Sequence, residues 1–372
     1  MYKHLYSKFF EKNPNIRHFA CHSHHYWPDC TRDAQLQYWE DSAKYVDDKW
    51  GYFFSHKVPE FQKYVAESLN LTYPEQITIA PNTHELVARL MSSFGQKKIK
   101  VLTTDCEFYS FDRQLKRLYE EEMVDVNIVP LEPLSTFEER LMHEAGRDHD
   151  FTFFSHVFFN QGYRIQNLQE IVEVAAKHSV VCVDLYHSFF AIPTSLKEIE
   201  DKAFFVGGCY KYSMGGEGAS FLISPKNTKI KPVNTGWFAQ IDSLSDDSDN
   251  EVYFSNSGLR FAGATVDFSG LYRQVAVFEM LKANDISVGK IHSYVKDEQK
   301  KFLEQINLKV GKLVYHGESN QGHFICIKYE NSDLAAEAQQ RLKEQKIITD
   351  RRGDIIRFGF CLYTEGPYNF VL

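Results

Sequence analysis

The chain has 372 residues, with 42 Lys and Arg against 50 Asp and Glu, a formal net charge of −8. Its 43% apolar and 25% charged residues make an ordinary globular mixture and exclude wholesale disorder or fibrous structure. The acidic balance argues against a nucleic-acid partner or an anionic membrane surface, which call for a basic face.

In chain order, the opening "MYKHLYSKFFEKNP" lacks the apolar core of a signal peptide, and no later run approaches the ~20 apolar residues of a membrane span. With seven scattered cysteines and no C-x-x-C pair, this predicts reduced thiols and a cytoplasmic location. The segment "RHFACHSHHYWPD" then packs His18, Cys21, His22, His24 and His25 together. Such density invites a zinc reading, but no second cluster at zinc-finger spacing accompanies it, so no metal is expected. A substrate-facing turn and a plain structural turn are the alternatives.

From Ile77 short apolar runs alternate with helical patterns. "ITIAP", "IKVLTTD", "VDVNIVP", "FTFFSHVFF" and "VVCVDLY" read as strands separated by amphipathic helices, and "AFFVGG" and "ASFLISP" follow. Strands alternating with helices predict crossover units and an α/β fold, a mostly parallel sheet flanked by helices. The polar stretch from Ile241 to Asn250 reads as an exposed loop. Beyond Asp267, long helical patterns and the runs "KLVYHG", "HFICIKYE" and "IIRFGFC" predict a smaller α+β unit. The expected division is an N-terminal segment (1–44) belonging to the small unit, a large α/β domain (45–265) and a small C-terminal α+β domain (266–372).

The chemistry concentrates in that large domain. "VDLYH" puts Asp184 at a strand's carboxyl end, with His187 three residues on. "GGCYKYSMGGEGAS" puts Lys211 in a glycine-rich turn between two apolar strands. Ligands of open α/β sheets sit outside the carboxyl ends of the strands. A lysine able to form a Schiff base, with an acid for a pyridinium nitrogen, is the protein's half of pyridoxal 5′-phosphate (PLP) chemistry. In "APNTHEL" a helix opens at Thr83, and a helix N-terminus suits a phosphate.

These segments resemble the class V (fold type I) PLP-dependent enzymes over roughly residues 20–365, and within them the kynureninase-like branch. "VCVDLYHSFFAIP" is similar to that family's D-x-x-H strand end, "GGCYKYSMGGEGASFLI" to its Y-K-Y lysine segment, "NTGWFAQ" to its G-W turn and "IIRFGFCLY" to its late I-R strand. The resemblance implies a seven-stranded-type sheet and a homodimer acting on an amino acid. It implies that Lys211 carries the cofactor as an internal aldimine and moves the Cα proton. Asp184 would bond the pyridine N–H, with Asp112 near the same nitrogen, and His187 would sit beside the ring. Phe108 would stack on the cofactor. Thr83, His84 and Tyr210 would hold its phosphate, with Trp237 nearby. Arg357 would take the substrate α-carboxylate, and the N-terminal turn at His24 would face the substrate. Kynureninase-like hydrolase or lyase chemistry at Cβ is the leading expectation. A class V aminotransferase and a non-catalytic PLP-fold binding protein are the alternatives. Desulfurase chemistry needs a mobile loop cysteine, whereas Cys326 lies in an alternating strand pattern. In "GLRFAGATVDF" Arg260 fits the kynureninase pattern. Gly263 stands where that pattern has an asparagine, and Ala264 and Thr265 replace two prolines, so L-kynurenine is expected to be a poor substrate.

Overall fold

The computed structural model describes residues 2–243 and 250–369. A short strand, β1 (Arg17–His18), precedes the large sheet. That sheet comprises β2 (Ile77–Ala80), β3 (Ile99–Thr104), β4 (Val124–Val129), β5 (Phe151–Ser155), β6 (Val180–Asp184), β7 (Phe204–Gly208) and β8 (Ser220–Ile223). Its seven strands run in the order β2-β8-β7-β6-β5-β3-β4. All neighbours are parallel except β8, which is antiparallel to both β2 and β7. The mostly parallel α/β sheet expected from the strand–helix alternation is therefore present.

Side chains alternate across a strand, so a sheet covered on both faces needs apolar residues at every position. The strands β2, β5, β7 and β8 are buried throughout. On one face Phe153 of β5 stacks on Phe111 of helix Tyr109–Glu120, with ring centroids 3.8 Å apart. On the other face Phe154, Val183 and Phe205 join the largest apolar core.

Register decides what gathers at the carboxyl rim of this sheet. Ser155 pairs with Asp184, and Asp184 with Val206. Gly208, Ser220 and Ala80 lie in one row. The segments that follow β2, β3, β6 and β7, carrying Thr83, Phe108, His187 and Lys211, therefore leave from the same rim.

The C-terminal part contains β9 (Lys312–Val314), β10 (Phe324–Lys328), β11 (Ile347–Ile348), β12 (Asp350–Arg352) and β13 (Ile355–Gly359). Four of these form an antiparallel sheet, β12-β13-β10-β9, while β11 pairs in parallel with β1. That pairing ties the N-terminal segment to the C-terminal unit. Ile356 and Phe358 enter a core with Phe302 and Leu342. The two-residue period then turns Arg357, between them, to the opposite face, which Phe324 and Cys326 of β10 also line. Of the expected loop Ile241 to Asn250, residues 241–243 close a 3₁₀ turn, Trp237–Ser243, and 244–249 fall outside the described residues. No helix among the described residues is long and apolar enough to cross a membrane.

Phe153→Ala is expected to destabilise the chain by about 3–5 kcal/mol, the usual cost of emptying a buried aromatic site. Denaturant unfolding reads this directly. A change well under ~1 kcal/mol would show that the stack with Phe111 holds little of the sheet–helix interface.

Candidate active site

The turn after β7 buries its lysine. Lys211 is 4% exposed. Its Nζ lies 2.8 Å from His187 Nε2. It also stands 4.7 Å from the ring centre of Tyr186, 5.0 Å from that of Phe108 and 5.7 Å from that of Tyr210. Gly208 makes this possible, because a Cβ there would fall inside the Tyr186 ring. Burial drives the Lys211 amine down to about 7, against the opposing pull of Asp184. Burial likewise pushes His187 well below its ordinary value, and the nearby Lys211 and Arg357 add to this, so the imidazole is neutral. A neutral His187 can accept a hydrogen bond from the Lys211 ammonium or donate one to the free amine, depending on its tautomer.

Asp184 ends β6, and its Oδ1 accepts the Tyr186 amide at 2.7 Å. Burial raises its carboxyl above the usual range, while that amide and Lys211 pull the other way. Asp184 and Lys211 thus act on each other electrostatically from neighbouring strand ends, β6 and β7.

Arg357, 1% exposed, is gripped by three groups: the Phe159 carbonyl, Ser23 Oγ at 3.2 Å, and the Asp350 carboxylate directly opposite in the β12–β13 ladder. Its Nε is buried without a partner. Asp350 also takes Ser23 Oγ at 2.7 Å and faces His22 Nε2 at 3.5 Å. Burial alone would raise the Asp350 carboxyl, but His22, Arg357 and Ser23 outweigh it and hold the group well below the usual range. Burial, reinforced by Arg357, takes His22 down to about 3.

The structure brings Lys211, Asp184, His187, Phe108 and Tyr210 together, with the charge of Arg357 acting on both Lys211 and His187. Thr83 is the first residue of helix Thr83–Ser92. Its cap is Asn82, whose Oδ1 accepts the Glu85 amide at 2.9 Å, so the preceding amides of Thr83 and His84 have no helical partner. The side chains of three expected residues point elsewhere. The His84 ring is exposed and bonded to Gln114. Asp112 sits on the outer side of its helix, where Lys116 one turn on pairs with it at 2.8 Å while Phe111 and Leu115 face inward. His24 is exposed, and the tight turn closed by the amides of Ser23 and His24 on Ala20 O sends His22 and Ser23 inward instead. Trp237 packs edge-on against Trp50 at 5.9 Å and bonds Thr265 Oγ1 at 3.3 Å. Cys326 is fully buried in β10.

Sequence reasoning missed Tyr186, Glu107, His22, Ser23 and Asp350. Asp350 had a signal: "DRRGDIIR" reads as a hairpin that sets it opposite Arg357. His22 and Ser23 had one in the histidine-dense turn, but not its direction.

With this geometry in view, the chain was compared with known proteins. The profile of one family, Aminotransferase class-V, matches residues 28–356. The chain belongs to that family. Its members are PLP-dependent enzymes. Among solved structures, the cystine C–S lyase C-DES, as a mutant with glycine covalently linked to PLP, matches with a TM-score of 0.83 at 17% identity. The match covers 98% of this chain and 96% of that one. A cysteine desulfurase from Thermococcus onnurineus follows at 0.78 and 16%, covering 96% and 94%. The Escherichia coli cysteine desulfurase CsdA follows at 0.76 and 14%, covering 96% and 94%. At these identities the likeness is one of fold. No curated protein matches the chain.

The residues present fit PLP. A buried amine near neutral pKa suits a cofactor aldehyde, and the Phe108 and Tyr186 rings on that amine can border a planar ring. Asp184 can hold a protonated ring nitrogen.

In the cofactor-free chain, acylation of Lys211 is expected to rise with pH through about 7, whereas an ordinary lysine needs about 10. Asp184 opposes the depression, so Asp184→Asn should move the midpoint lower still. Mass spectrometry of the labelled peptide against pH gives both numbers, and a Lys211 midpoint near 10 would contradict the burial argument.

Proposed function

We propose that this chain is a PLP enzyme that breaks a bond at Cβ of an α-amino acid, with a side-chain pocket different from that of kynureninase. The observation that carries the reading is the buried Lys211 amine between Asp184 and His187, with the Arg357 guanidinium acting on the same space. PLP, when bound, supplies an electron sink for charge developing at the amino-acid Cα.

The chain's own residues have these parts. Lys211 anchors the cofactor aldehyde and, once displaced, its amine takes the Cα proton. His187, neutral and 2.8 Å away, orients that amine. Asp184 keeps a proton on the ring nitrogen. The unpartnered amides at Thr83 and His84, with the Tyr210 hydroxyl, are suited to the phosphate. Arg357 orients the substrate through its α-carboxylate, and its orphaned Nε is a donor left for that purpose. Cleavage at Cβ is supported by the Y-K-Y segment's likeness to the kynureninase-like branch. The name of the C–S lyase with the same fold points to chemistry at that carbon too.

Gly263 supports the altered pocket. A Cβ there would stand 2.5 Å from the Arg89 guanidinium, whose Nη1 bonds the Phe261 carbonyl at 3.1 Å. An asparagine amide has no room unless Arg89 moves, so the polar contact of the kynureninase pattern is missing. Losing a contact that a site is built around costs far more than losing a methylene.

Borohydride added to the PLP-loaded chain is expected to fix the cofactor on the Lys211 peptide, and an adduct on another lysine would sink the reading. In a panel of amino acids, β-substituted ones should release their side chain while L-kynurenine yields little anthranilate. A kynurenine kcat/KM of about 10⁴ M⁻¹s⁻¹ or more would instead make the protein a kynureninase. Formation of a keto acid with cofactor in its amine form would make it an aminotransferase.

With any substrate that panel finds, Arg357→Lys keeps the charge but loses the fork. A lost charged bond of about 1.5–3 kcal/mol should raise KM at least tenfold with the cofactor spectrum intact. An unchanged KM would place the carboxylate elsewhere.

A further inference from the structure

Glu107 follows β3 in the turn that delivers Phe108. It is 7% exposed, and the proposed mechanism does not use it. Its Oε1 accepts Thr104 Oγ1 at 2.7 Å and the Ser155 amide at 3.2 Å, while its Oε2 meets Ser155 Oγ at 2.6 Å. Ser155 ends β5 and stands in register with Asp184 at the end of β6. The Glu107 carboxyl, after β3, and the half-buried Asp184 carboxyl, ending β6, therefore flank the end of β5, where Ser155 bonds the first and stands in register with the second.

Their surroundings differ in a way that decides their charges. The groups acting on Glu107 are the hydroxyls of Thr104 and Ser155, the Ser155 amide and the Asp184 carboxyl. The nearby titratable groups on its own turn and on β6 are the exposed Asp105, which accepts the Cys106 thiol, and Cys106 and Cys182, whose thiols burial raises. None of these is a cation. Asp184 has Lys211. Two carboxyl groups sharing a buried neighbourhood do not both ionise cheaply, and the one beside the cation takes the charge.

We propose that Glu107 is a positioning residue for Asp184: a neutral carboxylic acid braced between Thr104 and Ser155, which leaves the negative charge of the pair to Asp184. The charge is then concentrated where a cofactor ring nitrogen needs it, and the neutral acid fixes the β5 end and the turn carrying Phe108. Burial lifts the Glu107 carboxyl to about 8, against the bonds from Ser155 and Thr104, so it keeps its proton through the neutral range. As an acid it donates one of these bonds, the one to Ser155 Oγ being the shortest. This inference rests on the reading above that Asp184 serves a cofactor ring.

Infrared difference spectroscopy on the cofactor-free chain tests it. A carboxylic-acid C=O band should vanish as pH rises through about 8. Glu107→Gln, which mimics the neutral acid in shape and bonding, should remove that band. Ser155→Ala takes away a donor that favours the ionised form, so the titration should move upward. In the PLP-loaded chain, Glu107→Gln should leave the visible band at neutral pH in place and abolish its change near pH 8. Absence of a titrating acid band, its survival in Glu107→Gln, or a neutral-pH visible band displaced by Glu107→Gln would each overturn the proposal. The infrared arm needs no cofactor, so its failure is distinct from finding the borohydride adduct on another lysine, which would sink the functional reading alone.

Discussion

A lysine ammonium enclosed by Phe108, Tyr186 and Tyr210 loses its water, and His187 cannot return what hydration supplied. The amine is therefore poised near neutrality, and the surrounding charges follow from that. Asp184 can remain a carboxylate because Lys211 is its neighbour. His187 stays neutral because burial, with Lys211 and Arg357 adding to it, opposes its protonation. Glu107, with no cation, is left to hold a proton. Burial sets each group's state first, and Lys211 acts further on Asp184 and His187, so a change at that nitrogen reaches both.

The sheet makes this cluster possible. Parallel strands point their carboxyl ends the same way, and register places Ser155, Asp184 and the end of β7 beside one another. These groups come from four separate stretches of sequence, at Glu107–Phe108, Ser155, Asp184–His187 and Tyr210–Lys211. Lys211 comes 24 residues after His187, and Arg357 arrives from a different sheet. The alternation in β13 is what aims Arg357 out of its own core. Shifting that strand by one residue would exchange the arginine for Ile356 or Phe358.

Much of this was legible in the sequence. Apolar runs with glycine-rich ends gave the strands, and the order of Asp184, Lys211 and Arg357 gave the chemistry. The short strands β1, β11 and β12 were not legible, since two or three residues are too few to show a period. The side-chain directions of Asp112, His84 and His24 were not legible, for one reason. Motif position was read as side-chain direction, yet helix phase and turn geometry decide direction. Asp112 has a lysine one turn away and apolar neighbours that claim the inner face. Glu107 escaped notice because a single acid before an aromatic residue has no pattern. Only the fold shows that it is buried without a cation.

Arg357 shows how the site reconciles stability with binding. A guanidinium buried this deeply must be neutralised even when no substrate is present. Asp350 does this from the facing strand, with His22 and Ser23 completing the arrangement. An arriving α-carboxylate therefore meets a fork already engaged by a carboxylate, with Nε left over. It gains less from Coulomb attraction than it would from a bare arginine, and more from direction. That favours a ligand whose amino group and side chain also find partners, and it puts the burden of selectivity on the side-chain pocket. On the proposed function, Gly263, whose Cβ position is taken up by Arg89, would leave that pocket without the asparagine of the kynureninase pattern. On the proposed function, cofactor machinery and substrate choice would thus fall to separate elements: the rim of the large sheet for the first, and the Arg357 strand with the His22–Ser23 turn for the second.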